Sequence, residues 1–424
     1  MASEFAVYLP AVNLAFAKAV MGQVPRGRMF PAGLTLDQLA FWSPNPVWHY
    51  PNVLYSLGAH SVGADINNGI TCLRPKGGIL VFDSGGFQIA KGTLKGGPPL
   101  TEGMSADAAI ASWRNYGNDT KSWVTRTSEL HAKYAMTLDI PPWTTLPEHK
   151  GMPFNRCSFE ELLSLTLGNL RYIDTHRRGW VQWINVVHGM DPMTTRQWWQ
   201  AVKWFPCGGY SMAGAAGCRG GLFGLLNGVL PMLDDGAFEP GRDILHVLGT
   251  GTIKWAILLT AIQRRLRDVA NPNLQVTFDS STAFQEAGAR EKLLVPPHLA
   301  GSATEWSFGY HSAPQGQRDV DSLDASGLDS PIGQRIRMGD LSIQANQWCQ
   351  RKYDAISAAL ISHHSVWTMV HTFDRANALV YGNGRERLPN HWREAVEFIE
   401  DVIGRSGWAG RLVQSRALLD AVGK

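Results

Sequence analysis

The chain has 424 residues, 44% of them hydrophobic and 18% charged, which supplies a large core and excludes a chain disordered throughout. At about 150 residues per domain the length allows two to three domains, or one (β/α)8 barrel with insertions. A formal net charge of +3 falls short of the strongly basic balance of nonspecific nucleic-acid binders, so any grip on phosphate must come from a local patch.

No run reaches the roughly 18–20 apolar residues that a membrane span needs. The mildly apolar start over residues 6–21 is broken by Pro10, Asn13 and Lys18, and Glu4 stands where an export signal would be basic. These features predict a cytoplasmic protein with no membrane partner. Cys72, Cys157, Cys207, Cys218 and Cys349 form no CxxC pair and read as reduced thiols.

In chain order, short apolar runs alternate with stretches of helical period. A strand is predicted over 78–82 (GILVF), a helix over 106–116, a strand over 134–138 (YAMTL), a helix over 159–175 and a strand over 181–187 (VQWINVV). A helix over 194–204 leads to a weaker strand just before Gly208. Then come a strand over 244–248 (ILHVL), a helix over 253–269 whose RRLR ending suits a helix C-terminus, and a strand over 274–278 (LQVTF). Residues 302–338 are polar and rich in Gly, Ser, Asp and Gln, which predicts a long surface loop or insertion. Beyond it, 341–381 and 391–422 have helical patterns with a Gly-rich turn between them.

Strand followed by helix, repeated, predicts a mostly parallel sheet. We therefore expect an irregular (β/α)8 barrel core over 1–300, a polar insertion over 301–340 and a helical C-terminal region over 341–424. Each strand-like run ends in small or reactive residues: Asp83-Ser84-Gly85-Gly86, Asp139, His188-Gly189, Gly208-Gly209, Gly249-Thr250-Gly251 and Asp279. In such a barrel the C-terminal strand ends meet on one face, whereas an open doubly wound sheet gathers its chemistry at one switch point.

The segment FDSGGFQ at 82–88 sets a carboxylate, two glycines and an aromatic ring in succession, which suits close backbone approach to a flat ligand and stacking by Phe87. The isolated tetrapeptide is more commonly a turn in which Asp caps its own backbone. Asp279 by itself is more commonly a helix N-cap. Two carboxylates on one mouth, however, are the equipment of glycosidic-bond chemistry, with Asp279 and Asp83 as the pair. Asp139 precedes Ile140-Pro141-Pro142, and its acceptor-only carboxylate can take two hydrogen bonds from a guanine-like base or hold its own loop through backbone amides. His188 and the 207–210 segment (Cys, Gly208, Gly209, Tyr210) offer further donors or, equally, a structural histidine and a turn. The Leu248-Gly249-Thr250-Gly251 segment lacks the spacing and the Lys-Ser/Thr of a phosphate loop. Basic clusters at 177–178, 264–267 and 385–393 fit phosphate contacts and solvated helix faces alike. Sixteen tryptophans are mostly core residues, with a minority available to stack bases.

Taken in order, FDSGGFQ, YAMTLD, INVVHG, CGGYSMAG, HVLGTGT and TFDSS resemble the motif set of the tRNA-guanine transglycosylase family over residues 80–285. The resemblance implies an irregular (β/α)8 barrel that exchanges guanine in a nucleic acid for a free 7-deazaguanine base through a covalent glycosyl-enzyme. It makes Asp279 the nucleophile and Asp83 the general acid/base. It assigns Ser84, Asp139 and the Gly208-Gly209 backbone to base reading, and Phe87 and Leu248 to the two ring faces, with Gly249 alongside. His188 stands where the family has Gln, and Tyr210 where it has Leu.

Three departures shift the expectation. Of the family's three-Cys, one-His zinc set only Cys349 and His371 remain, with Gln344 and Asn346 at other places, so no zinc and no other cofactor is expected. The segment 280–284 replaces the Leu-Pro-Thr-Arg-like stretch of the tRNA enzymes. Ala213-Gly214 replaces a Gly-Glu whose carboxylate meets a cationic substituent, which favours a neutral group such as a nitrile. The pattern resembles the DNA-guanine transglycosylases of bacteriophages and bacterial DNA-modification islands, with DNA as the partner and 7-cyano-7-deazaguanine as the expected base. The alternatives are tRNA as the polymer, a non-catalytic accessory subunit that only binds nucleic acid, and a barrel glycoside hydrolase.

Overall fold

The computed structural model describes residues 3–24, 30–300, 303–312, 328–336, 340–341, 343–345 and 351–423. Eight strands form the centre: β1 (Val7–Val12), β2 (Val53–Ser56), β3 (Leu80–Asp83), β4 (Tyr134–Met136), β5 (Gln182–Val187), β6 (Gly209–Met212), β7 (Ile244–Val247) and β8 (Gln275–Ser280). Each pairs in parallel with the next and β8 pairs in parallel with β1, so the sheet closes into a (β/α)8 barrel. Parallel neighbours need crossovers, and the helices supply them. They are α1 (Leu14–Ala19), α2 (Gly69–Cys72), α3 (Gly86–Ala90), α4 (Ala106–His131), α5 (Phe159–His176), α6 (Pro192–Val202), α7 (Gly221–Asp234) and α8 (Ile253–Val269), and α9 (Thr282–Gly288) follows the last barrel strand.

The period-2 alternation of the strands divides the apolar residues into two cores. Val7, Leu9, Leu54, Val81, Met136, Ile184, Val186, Ala213 and Ile244 fill the barrel interior. Their strand neighbours Tyr8, Tyr55, Phe82, Trp183, Tyr210, Val247 and Phe278 point outward into a second core beneath the helices. Helix starts are fixed by side-chain caps worth about 1 kcal/mol each. Asp191 accepts from Thr194 N at the head of α6, and Thr252 accepts from Trp255 N at the head of α8. Both caps sit a few residues beyond β5 and β7, so the loops after these two strands stay short.

The helix Ala355–Tyr381 packs on the β8–β1 side of the barrel, where the Phe373 ring lies 5.1 Å from Tyr8 and 5.4 Å from Phe278. The C-terminal helices therefore share the outer core of the barrel.

Several expected elements are corrected. β1 and β2 were not among the predicted strands, and α7 was not among the predicted helices. The helix expected over 106–116 runs on to His131, because Gly117 sits against the Trp113 ring and the buried face continues through Thr120, Trp123 and Val124. The strand expected before Gly208 instead begins at Gly209, since Pro206 has no N–H to give a ladder. The helix expected from 341 starts at Ala355, capped by Asp354, and is preceded by the antiparallel pair β11 (Ile343–Ala345) and β12 (Arg351–Tyr353), which follow the hairpin of β9 (Lys292–Val295) and β10 (Gly309–Ser312). The polar stretch expected as a loop is described only in part: Leu328, Ile332 and Ile336 are buried within it, and 313–327 lies outside the described residues. Among the described residues no helix is long and apolar enough to cross a membrane.

Candidate active site

Because Leu54, Val81, Val186 and Ile244 face the barrel interior, so do the residues two further along each strand: Ser56, Asp83, His188 and His246. On β8 the outward Val276 and Phe278 leave Thr277 and Asp279 facing in. Asp83 and Asp279, 196 positions apart in sequence, thus end up on one rim.

Asp83 is the last residue of β3. Ser56 Oγ on the paired strand β2 donates to its Oδ2 at 2.6 Å, and the Gly85 N–H reaches its Oδ1 at 3.3 Å. Burial pushes its pKa above the ordinary carboxylate value, and the charges of Asp139 and Asp279 add to the push, against the pull of these two hydrogen bonds. Asp83 therefore senses both of the other carboxylates across the mouth.

The two glycines after Asp83 have different physical causes. Gly85 has φ +87°, the left-handed conformation that turns β3 into α3. Gly86 is a close approach: a Cβ there would come within 2.8 Å of Asp139 Oδ1. Asp139 is buried, and its Oδ2 meets His188 Nε2 at 2.7 Å. His188 is buried too, its Nδ1 has no hydrogen-bond partner among the described residues, and Gly214 lies against that nitrogen. Ser84 Oγ is turned to the Thr137 carbonyl at 3.2 Å.

Asp279 is buried with its Oδ1 accepting from the Gly249 N–H at 2.8 Å and facing His246 Nε2 at 3.3 Å. Leu248, half-buried, packs against the interior core just past the end of β7, the strand across the barrel from β3. Phe87 is 52% exposed at the rim. Its ring lies 5.7 Å from Trp143, while Lys91 sits 4.4 Å over Phe87 and Arg219 sits 5.9 Å over Trp143. The result is one exposed ring, Phe87, backed by the buried Trp143 and flanked by two cations.

Asp83, Ser84, Phe87, Asp139, His188, Leu248, Gly249 and Asp279 are thus brought to one end of the barrel. Gly208, Gly209 and Tyr210 are not. Gly209 pairs with Ile184 and Ile244 at the start of β6, about 13 Å below the mouth at 3.3 Å per residue. It is glycine because a Cβ there would meet the Ile244 carbonyl at 2.2 Å. Tyr210 points outward against Trp199 and Phe238. The residues that follow β6 at the mouth are Ala213 and Gly214 instead.

The basic clusters are likewise placed elsewhere. Arg177 and Arg178 precede β5, and Arg264, Arg265 and Arg267 end α8, at the face opposite the mouth. Arg177 pairs with Asp174 and Arg265 with Asp268, while Arg385 forms a forked pair with Glu400 after the helix Ala355–Tyr381.

Among the described residues no three His, Cys, Asp or Glu side chains gather as metal ligands. Asn346 and Cys349 lie outside the described residues, and the His371 ring packs 4.3 Å from Trp367 and 5.7 Å from Trp48. Cys72, Cys157 and Cys207 are free thiols.

Sequence reasoning missed Ser56, His246, Trp143 as a rim residue and Arg219. For His246 the signal was present, since it alternates with Ile244 and Leu248 in the same strand run. No protein-family model matches the chain, and no curated protein is found similar to it.

Proposed function

We propose that this chain is a guanine transglycosylase that exchanges guanine in DNA for a free 7-deazaguanine base, 7-cyano-7-deazaguanine, through a covalent Asp279–deoxyribosyl intermediate. One observation carries the reading. A buried carboxyl with a raised pKa, Asp83, faces a second carboxylate, Asp279, one of whose oxygens is already fixed by donors. Burial favours the protonated form of Asp83, which suits it to the acid role, and the donors that hold one oxygen of Asp279 suit that side chain to the nucleophile's.

In the first half-reaction a free lone pair of the Asp279 carboxylate forms a bond to C1′. The C1′–N9 bonding pair leaves with guanine, and protonated Asp83 supplies its proton, so guanine departs neutral. In the second, ionised Asp83 takes the N9 proton of the incoming base. N9 then attacks C1′, and the ester bond returns its electrons to Asp279. Two displacements on one carbon retain configuration. Asp139, with Oδ1 beside Gly86, and His188, with a bare Nδ1 beside Gly214, offer polar atoms for a flat heterocycle. The absence of a carboxylate at Ala213-Gly214 suits a neutral 7-substituent.

A base buried in a duplex must leave the stack before it can enter this mouth, at a cost of a few kcal/mol. The exposed Phe87 ring, backed by Trp143, offers stacking surface beside the opening, and Lys91 and Arg219 add positive charge. The test is a covalent trap. Wild type incubated with guanine-containing DNA yields a denaturation-resistant adduct, and Asp279→Ala yields none; an adduct that persists in the variant refutes the role. Mass analysis of nucleosides from cells making the protein with the deazaguanine base supplied should find the modified base in DNA. Its appearance in tRNA instead would move the substrate to tRNA.

A further inference from the structure

Directly beneath Asp279 the barrel interior holds an imidazole that none of the proposed steps uses. His246 is fully buried in the barrel interior, which it shares with the aliphatic residues Val7, Leu9 and Val186, and its register partners are Ser211 on β6 and Thr277 on β8. A polar ring in such surroundings is costly unless its nitrogens are bonded. Both are. Nδ1 lies 2.8 Å from Thr277 Oγ1, its register partner on β8, and Nε2 lies 3.3 Å from Asp279 Oδ1.

Ionised Asp279 only accepts, so the proton between the two must sit on Nε2. A neutral ring then has a lone pair on Nδ1, and the Thr277 hydroxyl donates into it. The Gly249 N–H reaches the same carboxylate oxygen at 2.8 Å. Both donors land on Oδ1, and Oδ2 takes no hydrogen bond among the described residues.

We propose, resting on the transglycosylase reading, that His246 is a positioning residue: set in its Nε2–H tautomer by Thr277, it ties down Oδ1 with Gly249 and leaves Oδ2 as the oxygen that attacks C1′. His246 neither gains nor loses a proton during the exchange. Oδ1 keeps both hydrogen bonds as it changes from carboxylate to ester carbonyl oxygen, so the carboxylate plane stays in place. Its contribution is to orientation, where a misplacement of about 1 Å costs about 100-fold in rate.

The experiment combines single-turnover adduct formation on guanine-containing DNA with 15N NMR of the histidine rings in the full-length protein. His246→Leu is expected to slow adduct formation about 100-fold while KM for the DNA stays within about twofold. His246→Gln, which keeps an N–H, is expected to recover at least about tenfold over Leu, and Thr277→Val to fall between Leu and wild type. The NMR of the wild type is expected to show Nε2 protonated and Nδ1 bare. Wild-type rates in His246→Leu, a change confined to KM, or an Nδ1–H tautomer would overturn the assignment. If wild type makes no adduct at all while the Nε2–H tautomer is present, the transglycosylase reading falls, and the hydrogen-bonded placement of Asp279 stands.

Discussion

Gly86→Ala tests whether Asp139 and its partner are held as rigidly as the site requires. The new Cβ would lie 2.8 Å from Oδ1 and 3.0 Å from Oδ2 of Asp139, about 0.5 Å inside comfortable contact. The carboxylate has little room to retreat, because Oδ2 is bonded to His188 Nε2 at 2.7 Å and the two side chains are 9% and 3% exposed. Moving it by that much stretches the bond past about 3.2 Å and leaves a buried carboxylate short of a partner, at a cost of about 2–3 kcal/mol. At about 2 °C per kcal/mol for a chain of this size class, the midpoint of thermal unfolding should fall by about 5 °C. Affinity for free guanine should fall by about tenfold or more, equivalent to ~1.4 kcal/mol or above. Differential scanning fluorimetry and isothermal titration with guanine read the two effects. An unchanged melting point together with unchanged guanine affinity would refute the claim that Asp139 is pinned against this glycine.

Gly168→Ala is the matching control. Gly168 lies inside α5 with nothing near its absent Cβ, so alanine should stabilise by about 0.5–1 kcal/mol in a thermal or urea melt without altering base binding. Asp83→Asn should abolish base exchange yet raise the melting point near neutral pH. Its carboxyl pKa is raised in the folded state, so wild type has the full contribution of this group in acid and loses it as pH rises through the folded pKa. The advantage of Asn should therefore shrink towards zero as pH is lowered, and a gap that widens in acid would show the sign to be wrong. Phe87→Ala removes a ring that is 52% exposed, so stability should change by less than about 0.5 kcal/mol, while affinity for the base drops by about 1–3 kcal/mol of stacking. A large loss of stability with intact binding would place Phe87 in the core instead of the site.

The barrel was legible because its middle strands are largely apolar runs, as in GILVF and VQWINVV, and such runs mark strands covered on both faces. β1 and β2 escaped for local reasons. β1 (Val7–Val12) contains Pro10, and β2 (Val53–Ser56) is four residues long and bounded by Pro51 and Gly58 rather than by a repeating helix. α7 escaped because Gly221, Gly224, Gly228 and Pro231 argue against a helix by propensity. Tertiary contact explains two of those glycines, since Cβ atoms at 224 and 228 would meet the Ala215 carbonyl and the Met212 side chain.

The candidate site shows the same division between what spacing fixes and what it does not. Asp83, His188 and Asp279 could be placed from strand ends alone, since in a closed parallel barrel every strand must finish on the same face. The CGGY segment misled because a glycine pair marks close backbone approach at either end of a strand, and only the register of β6 against β5 and β7 reveals which end. His246 was passed over for the opposite reason. It lies within the strand run rather than after it, where a polar residue looks like an interruption of the apolar pattern. Inside a barrel that position is one step below the mouth, and a side chain there can reach the candidate site only from beneath. That is where its bonds to Thr277 and Asp279 run. Reading inward-facing strand positions in pairs, the last residue and the one two before it, recovers Asp279 with Thr277 and Leu248 with His246, and so makes the support of the proposed nucleophile visible from strand parity alone.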